Sequence, residues 1–452
     1  MNIKTKHILQ KCMIVFLWLI IWQMVSLFVH NKILVAGPLE TAKALLKDGM
    51  EIRFWKTVGI SLSKIMSGLM AGLFTGFVLA VLSYRYSFLE QFLKPAMIFA
   101  KSVPVAGFAV ILLIWWGSGF LSVAISFLVT LPLMYVNILE GLKNCDAKLL
   151  EMAALFSFSP RAKAFYLYRQ SLKPFMVSGL KTGVGMSIKA GVAAEVIGTP
   201  KWSIGAALYE AKIYLETDRV FAFIIVIILL GLIAEKLLLG IVQVLFARKP
   251  KVMAKARRPV PVKGVCFRNV TKSFGEKRVL QNLSYTMKEG EITCLMAPSG
   301  AGKTTLLHIL AGLCDADSGE ILWDGSGTPG IGMVFQEDRL LDEETALKNV
   351  EMACSKRTTA KEVLSELLPM EALNEKICAL SGGMKRRVCI ARALAAQADV
   401  LVLDEPFTGL DEESRKNTVR VILKHLNGRI MILSTHNGED AELLGAKVWK
   451  IS

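Results

Sequence analysis

Six apolar runs, each near the length of a membrane crossing, occupy the first 247 of the 452 residues. They lie at roughly 12–30, 57–82, 92–115, 119–138, 175–198 and 219–246, and a helix needs about 20 such residues to cross the hydrocarbon. After residue 247 the apolar runs become short and strand-like. This unevenness accounts for a hydrophobic fraction of 53% and a mean hydropathy of +0.47, both high for a wholly soluble chain. The length suits two or three domains. The pattern predicts a multi-pass α-helical membrane domain over residues 1–247, a basic juxtamembrane linker over 248–263 and a soluble α/β domain over 264–452.

A net charge of +16 raises the question of nucleic acid, and the placement of the charge answers it. Arg248, Lys249, Lys251, Lys255, Arg257, Arg258 and Lys263 follow the last apolar run with no acid between them. That is the cytoplasmic flank of a membrane span, drawn also to anionic lipid. No basic face interleaved with aromatics appears elsewhere, so no nucleic-acid partner is expected. Six spans put both chain ends on one side, with Lys4–Lys11, Lys143–Lys173 and the residues after Arg248 in the cytoplasm. Residues 31–56 oppose this, because Lys32, Lys43, Lys47, Arg53 and Lys56 fall outside, diluted only partly by Glu40, Asp48 and Glu51. The run from Met13 to Val29 lacks a small-residue cleavage site after it and reads as a retained span. Of eight cysteines, six lie in the soluble half, and none forms a CxxC pair. They read as reduced core residues of a cytosolic domain.

Gly68, Gly72 and Gly76 recur every four residues and share one helix face. Such a stripe admits a second helix at close range, or is simply a glycine-rich span. Lys189 and Glu195 lie in or near the end of the fifth run, about 120° apart around a helix, so they are no obvious pair. They face a wet path or a partner, or Glu195 sits at the interface with Lys181 and Lys189 snorkelling towards it.

Between the fourth and fifth runs the chain is polar: Glu151-Met152-Ala153-Ala154, then Ser157, Pro160, Pro174 and Gly179. This stretch, near 145–175, resembles the cytoplasmic coupling loop of bacterial ABC importer permeases, which forms a short helix docked on the ATPase. Ser157 stands where that family usually has glycine, and Gln170 where it often has a first proline; Pro174 and Gly179 match. Val103-Pro104 leading to Trp116-Gly117, and Asp218-Arg219-Val220-Phe221-Ala222 opening the last run, are similar to permeases of nitrate/sulfonate/taurine-type importers.

In the soluble half, a strand-like run from Glu291 to Met296 leads into Ala297-Pro298-Ser299-Gly300-Ala301-Gly302-Lys303-Thr304-Thr305 and a helical pattern. This is a phosphate-binding loop in its strand–loop–helix setting. Its backbone N–H groups and the helix N-terminus face phosphate oxygens. Lys303 would reach the β- and γ-phosphates, and the Thr304 hydroxyl would ligate Mg²⁺. Ala297 replaces the usual first glycine. It costs on the order of 1–2 kcal/mol if φ is positive there and little otherwise.

The segments that follow resemble ABC ATPases in order and type. Phe274 resembles the aromatic on which adenine stacks. Gln336 matches the Gln loop, which contacts Mg²⁺ and the attacking water. Leu380-Ser381-Gly382-Gly383-Met384 matches the signature, Leu410-Asp411 the D-loop and Ser434-Thr435-His436 the switch histidine. Val400–Pro406 is a buried strand ending in Asp404 and Glu405. It would deliver Asp404 to hold Mg²⁺ and Glu405 to orient and deprotonate the water that attacks the γ-phosphate.

The resemblance implies an ATP-hydrolysing transporter of the cytoplasmic membrane, importer type, with ATP and Mg²⁺ as cofactors and a cytoplasmic ATPase domain. Paired cassettes share each ATP between one phosphate loop and the opposite signature, so one of each per chain implies a homodimer. The expected partners are a second copy, an extracytoplasmic solute-binding protein, the lipid bilayer and a small solute of the sulfonate, nitrate, taurine or thiamine-precursor kind. An exporter is the alternative, since permease followed by cassette is the usual exporter order. The short spans and importer-type loop weigh against it, and the spans weigh against a non-transport ABC ATPase.

Overall fold

The computed structural model describes residues 3–31, 33–247, 260–298, 300–325, 327–354 and 356–451. Most of the expected linker, residues 248–259, lies outside them. Packing divides the chain into two units, Met1–Asn144 with Ser171–Arg248, and Cys145–Gln170 with Lys249–Ser452.

The first unit is helical. Among the described residues four helices are long and apolar enough to cross a membrane, within Ile3–Val29, Ile52–Arg85, Leu121–Lys143 and Thr217–Ala247. A bent pair, Ser87–Ser102 with Val105–Trp116, makes five if it is one span. The expected third run, 92–115, is therefore broken by a turn of 102°. The cause is local: Pro104 excludes Val103 from the helical region, and Val103 sits extended at φ −68°, ψ 129°. The expected fifth run lies in a 30-residue helix, Arg169–Gly198, but Lys173, Lys181, Lys189 and Glu195 keep its composition below that of a plain span. Four or five spans by length and composition thus replace the expected six.

The glycine stripe is a packing face. A Cβ on Gly68 would lie 2.2 Å from the Val123 carbonyl, and one on Gly72 2.8 Å from Thr130 Cβ. Helices Ile52–Arg85 and Leu121–Lys143 meet backbone to backbone there, where van der Waals packing holds membrane helices together. Lys181 and Lys189 are exposed while Glu195 is buried within the unit, which excludes the interfacial placement of Glu195.

The second unit carries two sheets. Strands β1 (Gly264–Phe274), β2 (Lys277–Lys288) and β4 (Ser318–Asp324) form an antiparallel sheet in the order β2-β1-β4. β3 (Ile292–Met296), β5 (Ile331–Val334), β6 (Val400–Asp404), β7 (Ile430–Ser434) and β8 (Lys447–Lys450) form a parallel sheet in the order β5-β6-β7-β3-β8. Every residue of β6 and β7 is buried, as a parallel sheet covered on both faces requires, and so each reads as an apolar run. Parallel strands bring their C-terminal ends to one edge, where open α/β sheets bind ligands.

Residues 145–170 fold with this unit. Asp146 caps the helix Ala147–Leu155 by accepting from the Lys148 N–H at 2.8 Å. Ser157 follows its end at φ +52°, where the Ser157 and Phe158 N–H groups donate to the Ala154 and Ala153 carbonyls. This is a left-handed helix terminus that favours glycine, which explains the residue type usual there in importer permeases. Met152, Ala153, Phe156 and Phe158 are buried in one apolar core with Leu306, Leu307 and Phe335.

Candidate functional site

Three parallel strands converge on the site. β7 lies between β3 and β6, and Ser434 at its end is level with Leu295 on one side and Asp404 on the other. The phosphate loop leaves β3, Glu405 leaves β6 and His436 leaves β7. The strand order therefore gathers at one edge residues about 140 positions apart in sequence.

The loop Ala297–Gly302 is expressed largely by its backbone. Gly302 takes φ +91°, and a Cβ there would lie 2.6 Å from Leu280 and 2.8 Å from Val279, both on β2. Ala297 is not among the described non-glycine residues of positive φ, so the replacement of the usual glycine carries no left-handed strain. Lys303 opens the helix Lys303–Leu310, is buried, and donates to the Ala297 carbonyl at 2.6 Å and the Pro298 carbonyl at 3.3 Å. Its ammonium is thus held across the mouth of the loop. Thr304 and Thr305 are half-buried on the first turn, and Pro298 and Gly300 are exposed. Ser299 lies outside the described residues.

Asp404 is 1% exposed. Ser434 Oγ donates to its Oδ1 at 2.5 Å, and its Oδ2 is buried without a hydrogen-bond partner. A buried carboxylate oxygen left in that state is costly, and a hard cation sharing it with phosphate oxygens and water removes the cost. Asp404 therefore fits Mg²⁺. Glu405 occupies φ +48°, a left-handed conformation that costs on the order of 1–2 kcal/mol in a non-glycine residue. Its N–H donates to the Ser434 carbonyl and hydroxyl, both at 3.1 Å, and its Oε1 lies 2.5 Å from His436 Nε2. Such strain persists only where surroundings over-determine the backbone.

Arg386, which the sequence reading passed over, provides that determination. It is 3% exposed and donates to the carbonyls of Asp404 at 2.5 Å, Glu405 at 2.7 Å, Pro406 at 3.2 Å and Phe335 at 2.6 Å, and to Asp338 Oδ1 at 3.2 Å. One guanidinium so ties the end of β6 to the Gln336 loop. The only signal in the sequence is its place in Lys385-Arg386-Arg387, five residues after Ser381, which looks like surface charge.

Residues of the 145–170 segment meet the same loop. Arg339 donates to Glu151 Oε2 at 2.7 Å and the Lys148 carbonyl at 3.3 Å, and its guanidinium lies 3.9 Å from the Phe335 ring centre. Lys148 and Glu337 pair at 2.5 Å. That hydrogen bond and the ammonium charge hold the Glu337 carboxyl below its ordinary range. Gln336 stands exposed between these anchors.

The remaining expected residues are placed by other elements. Ser381 caps the helix Gly382–Ala395, and Gly383 abuts Gly409 and Leu410. Asp411 caps Glu412–Leu426, its carboxyl lowered by the Ser414 N–H. Phe274 ends β1, is 55% exposed, and has the Lys272 ammonium 5.5 Å from its ring centre. Among the described residues no hydrogen bond joins Ser381, Gly382 or Gly383 to the phosphate loop.

Residues 280–408 match the ABC transporter ATP-binding family and residues 68–248 the binding-protein-dependent transport system inner membrane component family. The chain is 39% identical over 204 residues, 41% of its length, to a Nod factor export ATP-binding protein of Burkholderia lata, spanning 66% of that protein. It is 39% identical over 191 residues, 40% of its length, to an aliphatic sulfonates import ATP-binding protein of Corynebacterium glutamicum, spanning 77% of it. It is 37% identical over 185 residues, 38% of its length, to a taurine import ATP-binding protein of Roseobacter denitrificans, spanning 69% of it. The chain belongs to the ABC transporter family, with a permease segment and an ATP-binding cassette on one polypeptide.

Proposed function

We propose that two copies of this chain form an ATP-driven importer of a small solute across the cytoplasmic membrane, cassettes in the cytoplasm. The observation that carries the reading is a binding-protein-dependent permease segment whose residues 145–170 pack on the Gln loop of a cassette in the same chain. Sulfonate, nitrate, taurine or a thiamine precursor is the class of solute, on the family resemblance and the names of the sulfonate and taurine relatives. An extracytoplasmic solute-binding protein delivers it.

In this reading ATP binds with its adenine on Phe274 and its phosphates on residues 298–305. Lys303 exchanges its carbonyl partners for the β- and γ-phosphates. Asp404, Thr304 and Gln336 would hold Mg²⁺, which when bound neutralises the charge developing on the transferred phosphoryl group. Glu405 accepts a proton from the attacking water, and His436, hydrogen-bonded to it, fixes its carboxylate and senses the γ-phosphate. Ser381, Gly382, Gly383 and Asp411 sit at helix N-termini, and among the described residues none is hydrogen-bonded to its own phosphate loop. This supports their serving the ATP of the opposite copy, which closes the dimer. Closure shifts Gln336, and Arg339 and Glu337 carry that shift to Glu151 and Lys148.

Mass measurement of the purified complex, alongside its ATPase rate with and without a solute-loaded binding protein, tests this. Two copies and stimulated hydrolysis are expected. A stable, ATP-hydrolysing assembly of one copy without another ABC subunit overturns the dimer, and ATP-driven extrusion of solute overturns import.

A further inference from the structure

Arg392 heads the fully buried side chains by size among the described residues, at 1% exposed, and no step of the nucleotide chemistry uses it. Its Nη1 donates to the Arg339 carbonyl at 2.5 Å, while its Nε and Nη2 are buried with no hydrogen-bond partner. Among the described residues no acid forms an ion pair with it. Asp338 attracts it from beyond ion-pair range and already pairs with Arg386. The guanidinium instead lies 5.0 Å from the centre of the Phe156 ring, itself buried. A buried charge so thinly compensated costs more than an apolar side chain of its volume would, so what it joins matters.

It joins two apolar cores. The helix Gly382–Ala395 begins at the Ser381 cap, and Val388–Leu394, Arg392 among them, are all buried. Its apolar residues Val388, Ile390 and Leu394 belong to one core, whereas Phe156 belongs to the other, with Leu306 and Leu307 of the phosphate-loop helix. Arg392 stands about three turns, or 16 Å of rise, past Ser381. Arg386, on the same helix, grips the end of β6 and the Gln336 loop. A helix buried and pinned in this way moves as one body, because close-packed interiors transmit displacement and do not absorb it. The 145–170 segment therefore stands against both helices that begin at nucleotide positions. It meets Lys303–Leu310 through Leu306 and Leu307, and Gly382–Ala395 through Arg392.

We propose that Arg392 is a positioning residue that carries the state of the opposite copy's ATP to the 145–170 segment, so that Phe156 is set by both nucleotides of the dimer. The inference rests on the dimer reading, in which Ser381 faces the opposite ATP. A chain's own ATP acts on the segment through the phosphate-loop helix and the Gln336 loop. The other ATP acts through the signature helix and the guanidinium at its far end. Arg392 meets both routes, since the Arg339 carbonyl it holds belongs to the residue whose side chain grips Glu151.

The test uses the full dimeric chain in lipid nanodiscs, the non-hydrolysable ATP analogue AMPPNP with Mg²⁺ as probe, and amide hydrogen exchange over residues 147–158 as readout. In the unaltered dimer the probe should change exchange there by at least about threefold, the scale of one cation–π contact. Arg392→Met keeps an unbranched apolar chain and loses the charge. It should cut that change to within about 1.5-fold, while exchange over 298–305 still answers the probe. A role in folding alone would alter exchange over 147–158 equally with and without nucleotide. Arg392→Lys returns a cation to the ring and should restore most of the response. Should Arg392→Met not fold, Phe156→Leu carries the same expectation from the other side of the contact. An undiminished response in Arg392→Met or Phe156→Leu overturns the inference, as does an unaltered dimer that binds the probe with no change over 147–158. Ser381→Arg should abolish the response. If it does so while Arg392→Met does not, the inference falls and the shared ATP stands; if Ser381→Arg leaves the response intact, the shared ATP falls.

Discussion

Gly68 in the membrane unit and Gly302 in the cassette are both needed, for different reasons. Gly68 sits in an ordinary helix and is needed for what lies opposite, the Val123 carbonyl 2.2 Å from where a Cβ would stand. Gly302 is needed first for its own backbone, at φ +91°. The membrane unit thus stores its information in small residues that let helices touch. The cassette stores it in backbone conformations and polar side chains at strand ends. Substitutions should accordingly break the first by damaging the fold and the second by damaging chemistry within an intact fold.

The sharpest separation should come from Glu405→Gln. We expect hydrolysis to fall about 10²–10⁴-fold, roughly 3–5 kcal/mol in the barrier, with ATP still bound and the closed dimer accumulating. ATPase rate beside nucleotide retention checks it, and near-normal turnover would shift the role to His436. Gly68→Leu is the converse. Overpacking against a backbone carbonyl should cost about 3 kcal/mol, seen as a lower unfolding midpoint and loss of the membrane unit in detergent. Unchanged stability would mean that the two helices separate freely. Arg339→Ala probes the join between the Gln336 loop and residues 145–170. Losing a half-exposed pair and a cation–π contact should cost about 1 kcal/mol; ATPase should survive while solute moved per ATP falls severalfold.

Two departures from family pattern give the smallest effects and a clean contrast. Ser157 has positive φ, so Ser157→Gly should stabilise by about 0.5–1 kcal/mol, measured as a raised midpoint. Ala297 is not among the residues of positive φ, so Ala297→Gly should change ATP affinity by less than about tenfold. A site inert as found and revived by glycine would contradict that.

The same division decides what could be read from the chain beforehand. The phosphate loop, Asp404-Glu405 and the signature are contiguous and chemically distinctive, so their positions were legible even with Ala297 in place of glycine. Arg386 was not, because its importance is the convergence of six backbone and side-chain acceptors from separate segments. The spans followed from hydropathy except in two places: at Val103-Pro104, where a single residue pair redirects a run whose composition reads as continuous, and in the fifth run, whose lysines and Glu195 keep it below the composition of a span. The burial of Glu195 was also out of reach, since helical spacing gives its face and not the neighbours, Ser61 and Gly205, that receive it.

Residues 145–170 pack with the cassette although their chain neighbours on both sides belong to the membrane unit, and the polypeptide also runs on from residue 247 to the cassette. Docking is therefore unimolecular. Tethering of this kind holds partners at effective concentrations on the order of millimolar, so the Met152–Phe158 surface need not supply the affinity that keeps permease and cassette together. It is free to be weak, loosening and re-forming in each cycle without losing its partner. Dilution of the protein should leave that step untouched and act on the proposed meeting of two chains.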